Sequence, residues 1–215
     1  MSEKDSTDLE RDFPRAAGAA LRLAGGRPLD ERLSAERWRH TLAVAETAGR
    51  IAAALGWPPA ECQRALVAGL LHDVARELPR AEQRELAARA PLPPADAEGD
   101  PGPLLHARAG AALAAGEYGV RDAGILEAIA THPTGATGGS PLVQVLVVAD
   151  FLEPGRPHLD EADRALLESL LGGDVPLIEA FCQVMRKKIR HLRARGLAVH
   201  AQSAAAWSAH CAGRG

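Results

Sequence analysis

The chain has 215 residues, 47% of them hydrophobic and 3% aromatic, with a formal net charge of -3. That length suits one large domain with a full core, and the acidic balance without a lysine-rich tract argues against sequence-wide nucleic-acid binding. No apolar run reaches the roughly 18 residues of a membrane span, and the dominance of Ala, Leu, Val and Gly favours close-packed helices, so the expected fold class is all-α.

Residues 1–15 are charged and expected to be disordered, and the opening Met1-Ser2-Glu3-Lys4-Asp5 lacks the apolar core of a signal peptide. A short Ala-Leu helix is expected over 16–23, ended by Gly25-Gly26 and Pro28. Ser34 is a good N-cap for a helix to about residue 55, stopped by Gly56 and Pro58. Trp38, Leu42, Ala45, Ala48, Ala52 and Leu55 recur at steps of three and four and mark its buried face, with Arg39, Glu46 and Arg50 on the wet stripe.

A second, apolar helix is expected over 59–76 and a short surface helix over 82–89. The Pro-, Asp- and Gly-rich stretch 90–103 reads as a loop. Further helices follow over 104–118 and, capped by Asp122, over 123–131. A glycine-rich loop spans 134–139, and Ser140-Pro141 opens a helix over 142–152, whose length and start outweigh its valines. Two more, over 160–171 and 175–195, close a single domain over 16–196. The Ala-rich tail 197–215 is expected to pack on the domain through Trp207, an apolar surface that leaves room for a homodimer.

Cys62, Cys182 and Cys211 lie far apart with no Cys-x-x-Cys spacing, which indicates neither a disulfide framework nor a thiolate zinc site and fits a reducing cytoplasm. The chemistry concentrates elsewhere. Leu70-Leu71-His72-Asp73 delivers an imidazole and a carboxylate within an apolar run, at a cost of several kcal/mol unless a partner compensates it. His nitrogen and Asp oxygen together suit iron, manganese or zinc. Comparable residues at helix ends or in apolar runs are His40, His106, His132 and Asp150. His158, His191, His200 and His210 read as surface residues, and Arg186 to Arg190 as the wet face of a helix.

This order, one His, then His-Asp, then two His, then Asp, resembles the HD-domain superfamily of metal-dependent phosphohydrolases. The words Arg37-Trp38-Arg39-His40-Thr41, Gly69 to Arg76, Leu104-Leu105-His106, His132-Pro133-Thr134-Gly135 and Ala149 to Arg156 narrow it to the YqeK family of symmetrical bis(5'-nucleosyl)-tetraphosphatases. The ending Arg195-Gly196-Leu197-Ala198-Val199-His200 is similar as well. That resemblance implies an HD-domain helical bundle that splits diadenosine tetraphosphate into two ADP by metal-activated water. It implies one or two iron ions, with manganese, cobalt or magnesium as substitutes.

Carried over, it makes His40, His72, Asp73 and Asp150 metal ligands. His106 and His132 either hold a second ion or contact the phosphates and leaving group, so Asp73, His106 and His132 are the catalytic set. Arg37, Trp38, Arg39, His40, Arg76, His106, His132, Pro133 and Arg156 are the candidate substrate contacts. Where that family usually has Lys and Thr, this chain has Arg76 and Pro133. Arg keeps the positive charge and adds a fork suited to phosphate, whereas Pro133 removes one backbone N–H beside the site. The alternatives are another nucleotide substrate (a dNTP, a cyclic dinucleotide or a guanosine alarmone) and a catalytically weak nucleotide-binding sensor.

Overall fold

The computed structural model describes residues 26–91 and 104–213; the helix expected over 16–23 and most of the loop over 90–103 lie outside them. Among the described residues there are ten helices and no strand: α1 Leu29–Arg32, α2 Ala35–Ala54, α3 Pro59–Leu71, α4 Arg80–Ala88, α5 Leu105–Gly116, α6 Ala123–Thr131, α7 Pro141–Leu152, α8 Glu161–Leu171, α9 Leu177–Ala194 and α10 Ala201–Cys211. None is long and apolar enough to cross a membrane.

The helix starts follow local capping. Ser34 Oγ accepts the Arg37 N–H at 3.2 Å, Asp122 caps α6 through Ile125, and Asp160 and Asp163 form a reciprocal capping box on α8. Ser140 holds the N-cap position of α7, yet its hydroxyl has no hydrogen-bond partner among the described residues; Pro141, with φ already set for a helix, starts that element. The buried face of α2 is broader than a Trp38-to-Leu55 stripe, because Thr41, Val44, Thr47 and Ile51 are buried too. The reason is that α2 packs on both α3 and α7.

The centre of the bundle is α7, from which Leu142, Val143, Val145, Leu146, Val147, Val148, Ala149 and Leu152 are all buried. It packs against α2, α3, α6, α8 and α9, and burial on every side overrides the weak helix propensity of its valines.

Helix α3 ends at Leu71 rather than near 76, and residues 72–77 continue as turns. The cause is the His72 ring, which donates to Gly69 O at 2.7 Å and competes for the carbonyl that a continuing helix would offer to the Asp73 N–H. Val74 and Arg76 then donate to Leu71 O and Asp73 O in tighter turns.

Gly69 also sets how closely α2 and α3 cross. A Cβ there would lie 2.6 Å from Ala45 Cα and 2.9 Å from its backbone nitrogen, so the helices would have to separate. Gly69→Ala is therefore expected to destabilise the fold by about 1–3 kcal/mol, despite the better helix propensity of alanine. Chemical denaturation measures this, and an unchanged midpoint would contradict the crossing.

The C-terminal region adds a helix and corrects one expectation, that the cysteines form no disulfide. The tail forms a regular helix, α10, which His200 caps by accepting the Gln202 N–H and which packs on α9. Alanine's propensity suffices once Ser203, Ala206 and Cys211 are buried against the body, and Arg186 lies over the Trp207 ring. In addition, Cys182 on α9 and Cys211 on α10 form a disulfide, with Cα atoms 5.4 Å apart, and leave Cys62 free. Spacing hid the pair, since only the antiparallel return of α10 brings positions 29 apart into contact. Thiol titration in denaturant is expected to count one thiol without reductant and three with it. Three in both conditions would exclude the bridge.

Candidate metal centre

Five helices deliver six ionisable residues to one point. His40 lies on α2 and His72 caps the end of α3, with Asp73 in the turn beyond it. His106 is in the first turn of α5, His132 caps the end of α6, and Asp150 lies near the end of α7. All six residues of the ordered His/Asp series therefore meet.

The same device aims two of the rings. His72 donates Nδ1–H to Gly69 O at 2.7 Å and His132 donates Nδ1–H to Ile129 O at 2.8 Å, each to the carbonyl three residues back. His40 is held in the same sense, its Nδ1 lying 3.1 Å from Glu153 Oε1. These partners fix the tautomers, so the lone pairs on Nε2 face inward.

The Asp73 carboxylate sits between two groups of rings. Its Oδ2 is 3.5 Å from His72 Nε2 and 3.8 Å from His40 Nε2; its Oδ1 is 3.3 Å from His106 Nε2 and 3.8 Å from His132 Nε2. Two trios suited to a cation result, His40-His72-Asp73 and Asp73-His106-His132, with Asp73 common to both. Asp150 Oδ1 borders the first trio, 3.3 Å from His40 Nε2 and 3.7 Å from His72 Nε2.

The electrostatics favour ionised carboxylates and a neutral His132. Burial would raise the Asp73 pKa, but the His72, His132 and His106 rings pull it well below the usual carboxylate range. Burial likewise opposes ionisation of Asp150, and the His40 hydrogen bond, with the neighbouring His72 ring and Arg156 guanidinium, overcomes it. Burial, reinforced by the neighbouring His72 ring, pushes His132 well below the usual imidazole value. For His40, burial lowers the pKa, and hydrogen bonds to Asp150 and Glu153 outweigh it.

Three arginines ring this centre. Arg37 Nη1 donates to Asp73 Oδ2 at 2.8 Å, and Arg76 Nη1 lies 2.9 Å from each His106 ring nitrogen. Arg156 donates Nε–H to Asp150 O at 2.9 Å, while its Nη2 contacts Asp150 Oδ1 and lies 3.2 Å from His40 Nε2. Arg39 is exposed and donates to Ala35 O on its own helix, Trp38 packs its half-buried ring on the core, and Pro133 is half-buried in the turn after His132.

Sequence reasoning missed two groups. Glu153 is 2% exposed; it receives the Gly155 N–H on Oε2 at 2.6 Å and turns Oε1 to His40. Its spacing of three from Asp150 on α7 was the available signal. Lys188, taken with the wet face of α9, turns inward and donates to His132 O at 3.5 Å. Burial lowers its pKa, although the nearby Asp150 charge works the other way. The remaining histidines fit the surface reading in part: His210 instead donates Nε2–H to Ala136 O at 3.0 Å and packs on Phe181.

The donor set fits a cation. The Nε2 atoms of His40 and His72 face each other at 3.2 Å, as do those of His106 and His132 at 3.4 Å, close enough for one positive centre to join each pair. The buried Asp73 Oδ1 has no hydrogen-bond partner among the described residues. Donor separations of 3.2–3.8 Å are also those of atoms about 2.1 Å from one shared ion.

Comparison with known proteins agrees with this geometry. The HD domain family model matches residues 37–155, from Arg37 to the turn holding Glu153. A Bacillus subtilis protein named symmetrical bis(5'-nucleosyl)-tetraphosphatase is 37% identical over 141 residues, covering 65% of this chain and 73% of that one. A Halalkalibacterium halodurans protein of the same name is 35% identical over 139 residues, covering 65% and 70%. A crystal structure from Clostridium acetobutylicum, described as a "predicted HD superfamily hydrolase involved in NAD metabolism", superposes with a TM-score of 0.74 at 28% identity over 86% of this chain and 93% of that one. With its His-Asp pair at the junction of two histidine trios and the matched span enclosing His40 through Asp150, the chain belongs to the HD domain family.

Proposed function

We propose that this protein hydrolyses dinucleoside polyphosphates in a metal-dependent reaction, splitting diadenosine tetraphosphate symmetrically into two ADP. The observation that carries the reading is the buried Asp73 carboxylate shared by two histidine trios and ringed by Arg37, Arg76 and Arg156. The names of the Bacillus and Halalkalibacterium relatives supply the substrate.

His40, His72, Asp73 and Asp150 would hold one ion, and Asp73, His106 and His132 a second. Two imidazoles with two carboxylates suit iron, with manganese, cobalt or magnesium as substitutes. Held by these residues, a cation would supply an activated water, its pKa brought from about 15.7 toward neutrality. The protein's own part is positioning and charge. Gly69 O, Ile129 O and Glu153 lock three rings with Nε2 inward, so the donors need no reorganisation. Arg37, Arg76 and Arg156 place fixed positive charge around the site, where it meets the charge that builds on polyphosphate oxygens during transfer. A site that grips one ADP unit by its phosphates leaves the other ADP as the leaving group, so the symmetrical outcome needs no second recognition site.

The test is product analysis. Iron-loaded protein incubated with diadenosine tetraphosphate is expected to yield two ADP. ATP plus AMP, or no turnover by a metal-replete sample, would overturn the reading. A cytoplasmic location is part of the same proposal. A stable Cys182–Cys211 bridge is unusual in that compartment, so the thiol count is best made on freshly lysed cells with free thiols blocked.

A further inference from the structure

Helix α9 buries Leu177, Ala180, Phe181, Cys182, Val184, Met185 and Ile189, a stripe at steps of three and four. Lys188 lies in that register, three residues after Met185 and four after Val184, where an apolar residue would complete the stripe. Its neighbour Lys187 behaves as a surface lysine should, pairing with Asp160 at 2.9 Å and Asp163 at 2.6 Å. Lys188 instead runs inward and is half-buried, with its ammonium at the backbone of His132.

The nearby charges are those of Asp150 and Arg156, and α9 packs directly on α7, the helix that carries Asp150. The cation is poorly compensated. Among the described residues no carboxylate lies within 4.0 Å of it, and its one hydrogen bond is the 3.5 Å contact to His132 O, although an ammonium has three donors. Arg37 and Arg156 are each already paired with a carboxylate, Asp73 and Asp150. Turning a lysine inward beside Arg156 with so little in return is unfavourable unless an anion arrives to meet it.

We propose that Lys188 is a substrate contact that binds a phosphate oxygen of the nucleotide held at the HD centre. This rests on the nucleotide reading of the site given above. A compact ammonium with unused donors suits a nonbridging phosphate oxygen, and it completes a ring of cations in which Arg37, Arg76 and Arg156 hold the other positions. The bland alternative is that Lys188 only supports the turn after His132 through its carbonyl contact.

Lys188→Met keeps the stem and removes the charge; Lys188→Arg restores it. In metal-loaded protein, Lys188→Met is expected to weaken ADP and inorganic tripolyphosphate binding, measured by calorimetry, by about tenfold to a hundredfold. KM for diadenosine tetraphosphate rises in step, ion content stays at the wild-type level, and Lys188→Arg recovers most of the affinity. A turn-supporting role predicts instead a lowered melting temperature with unchanged phosphate affinity, and that result would overturn the proposal. So would a wild-type protein that binds neither probe. If the wild type binds tripolyphosphate yet leaves diadenosine tetraphosphate intact, the substrate reading fails while the binding comparison still decides the role of Lys188.

Discussion

Asp73→Asn is expected to empty the metal centre and to lower hydrolysis of diadenosine tetraphosphate by about a thousandfold or more. Asp73 is common to both cation trios: Oδ2 faces His40 and His72, and Oδ1 faces His106 and His132. An asparagine offers one neutral oxygen where two anionic ones stood, so one trio loses its oxygen donor and the other keeps a weaker one. The fold should survive. The side chain keeps its shape, its oxygen can still receive Arg37 Nη1–H, and the variant removes a negative charge whose burial is opposed by desolvation. Metal analysis, steady-state kinetics and circular dichroism on one preparation separate the effects. Full ion occupancy with near-normal turnover would remove Asp73 from the centre, whereas loss of helicity would point to a role in folding.

How far the sequence reaches depends on whether a signal is local. Ser34, Asp122 and Asp160 cap their helices through hydrogen bonds to residues three positions on, and these starts were readable. The end of α3 was not, because it depends on the His72 ring taking Gly69 O, a contact that exists only once His72 turns toward the centre. The His/Asp series was legible because each member sits at a helix end or in an apolar run, and the structure gathers all six. Lys188 and the Cys182–Cys211 pair were hidden for one shared reason. Both depend on how α9 packs, against α7 in the first case and α10 in the second, and periodicity within a single helix does not name its neighbours. Trp38 and Arg39, carried over with His40 from the family's motif, lie on other faces of α2: a step of 100° per residue turns Arg39 to solvent and Trp38 onto the core.

Glu153→Gln is expected to weaken ion binding at the His40 side of the centre by about tenfold to a hundredfold without unfolding the protein. Glu153 does two things at once: Oε1 receives His40 Nδ1–H at 3.1 Å, and Oε2 receives the Gly155 N–H at 2.6 Å. A glutamine has a single carbonyl oxygen. If that oxygen turns to His40, the NH2 group meets the Gly155 N–H donor to donor; if it turns to Gly155, the NH2 group opposes His40 Nδ1–H. Either way one bond is lost, and in the second case His40 is driven toward the tautomer whose Nε2 carries a proton and cannot ligate. The Asp73-His106-His132 trio does not include either residue and should keep its affinity. Ion titration should therefore show one weakened site beside one unchanged. Activity lost at limiting ion should return as the ion concentration rises, because Glu153 acts through His40. Unchanged ion affinity, or a loss of turnover that saturating ion does not restore, would show that the carboxylate serves some purpose other than orienting His40.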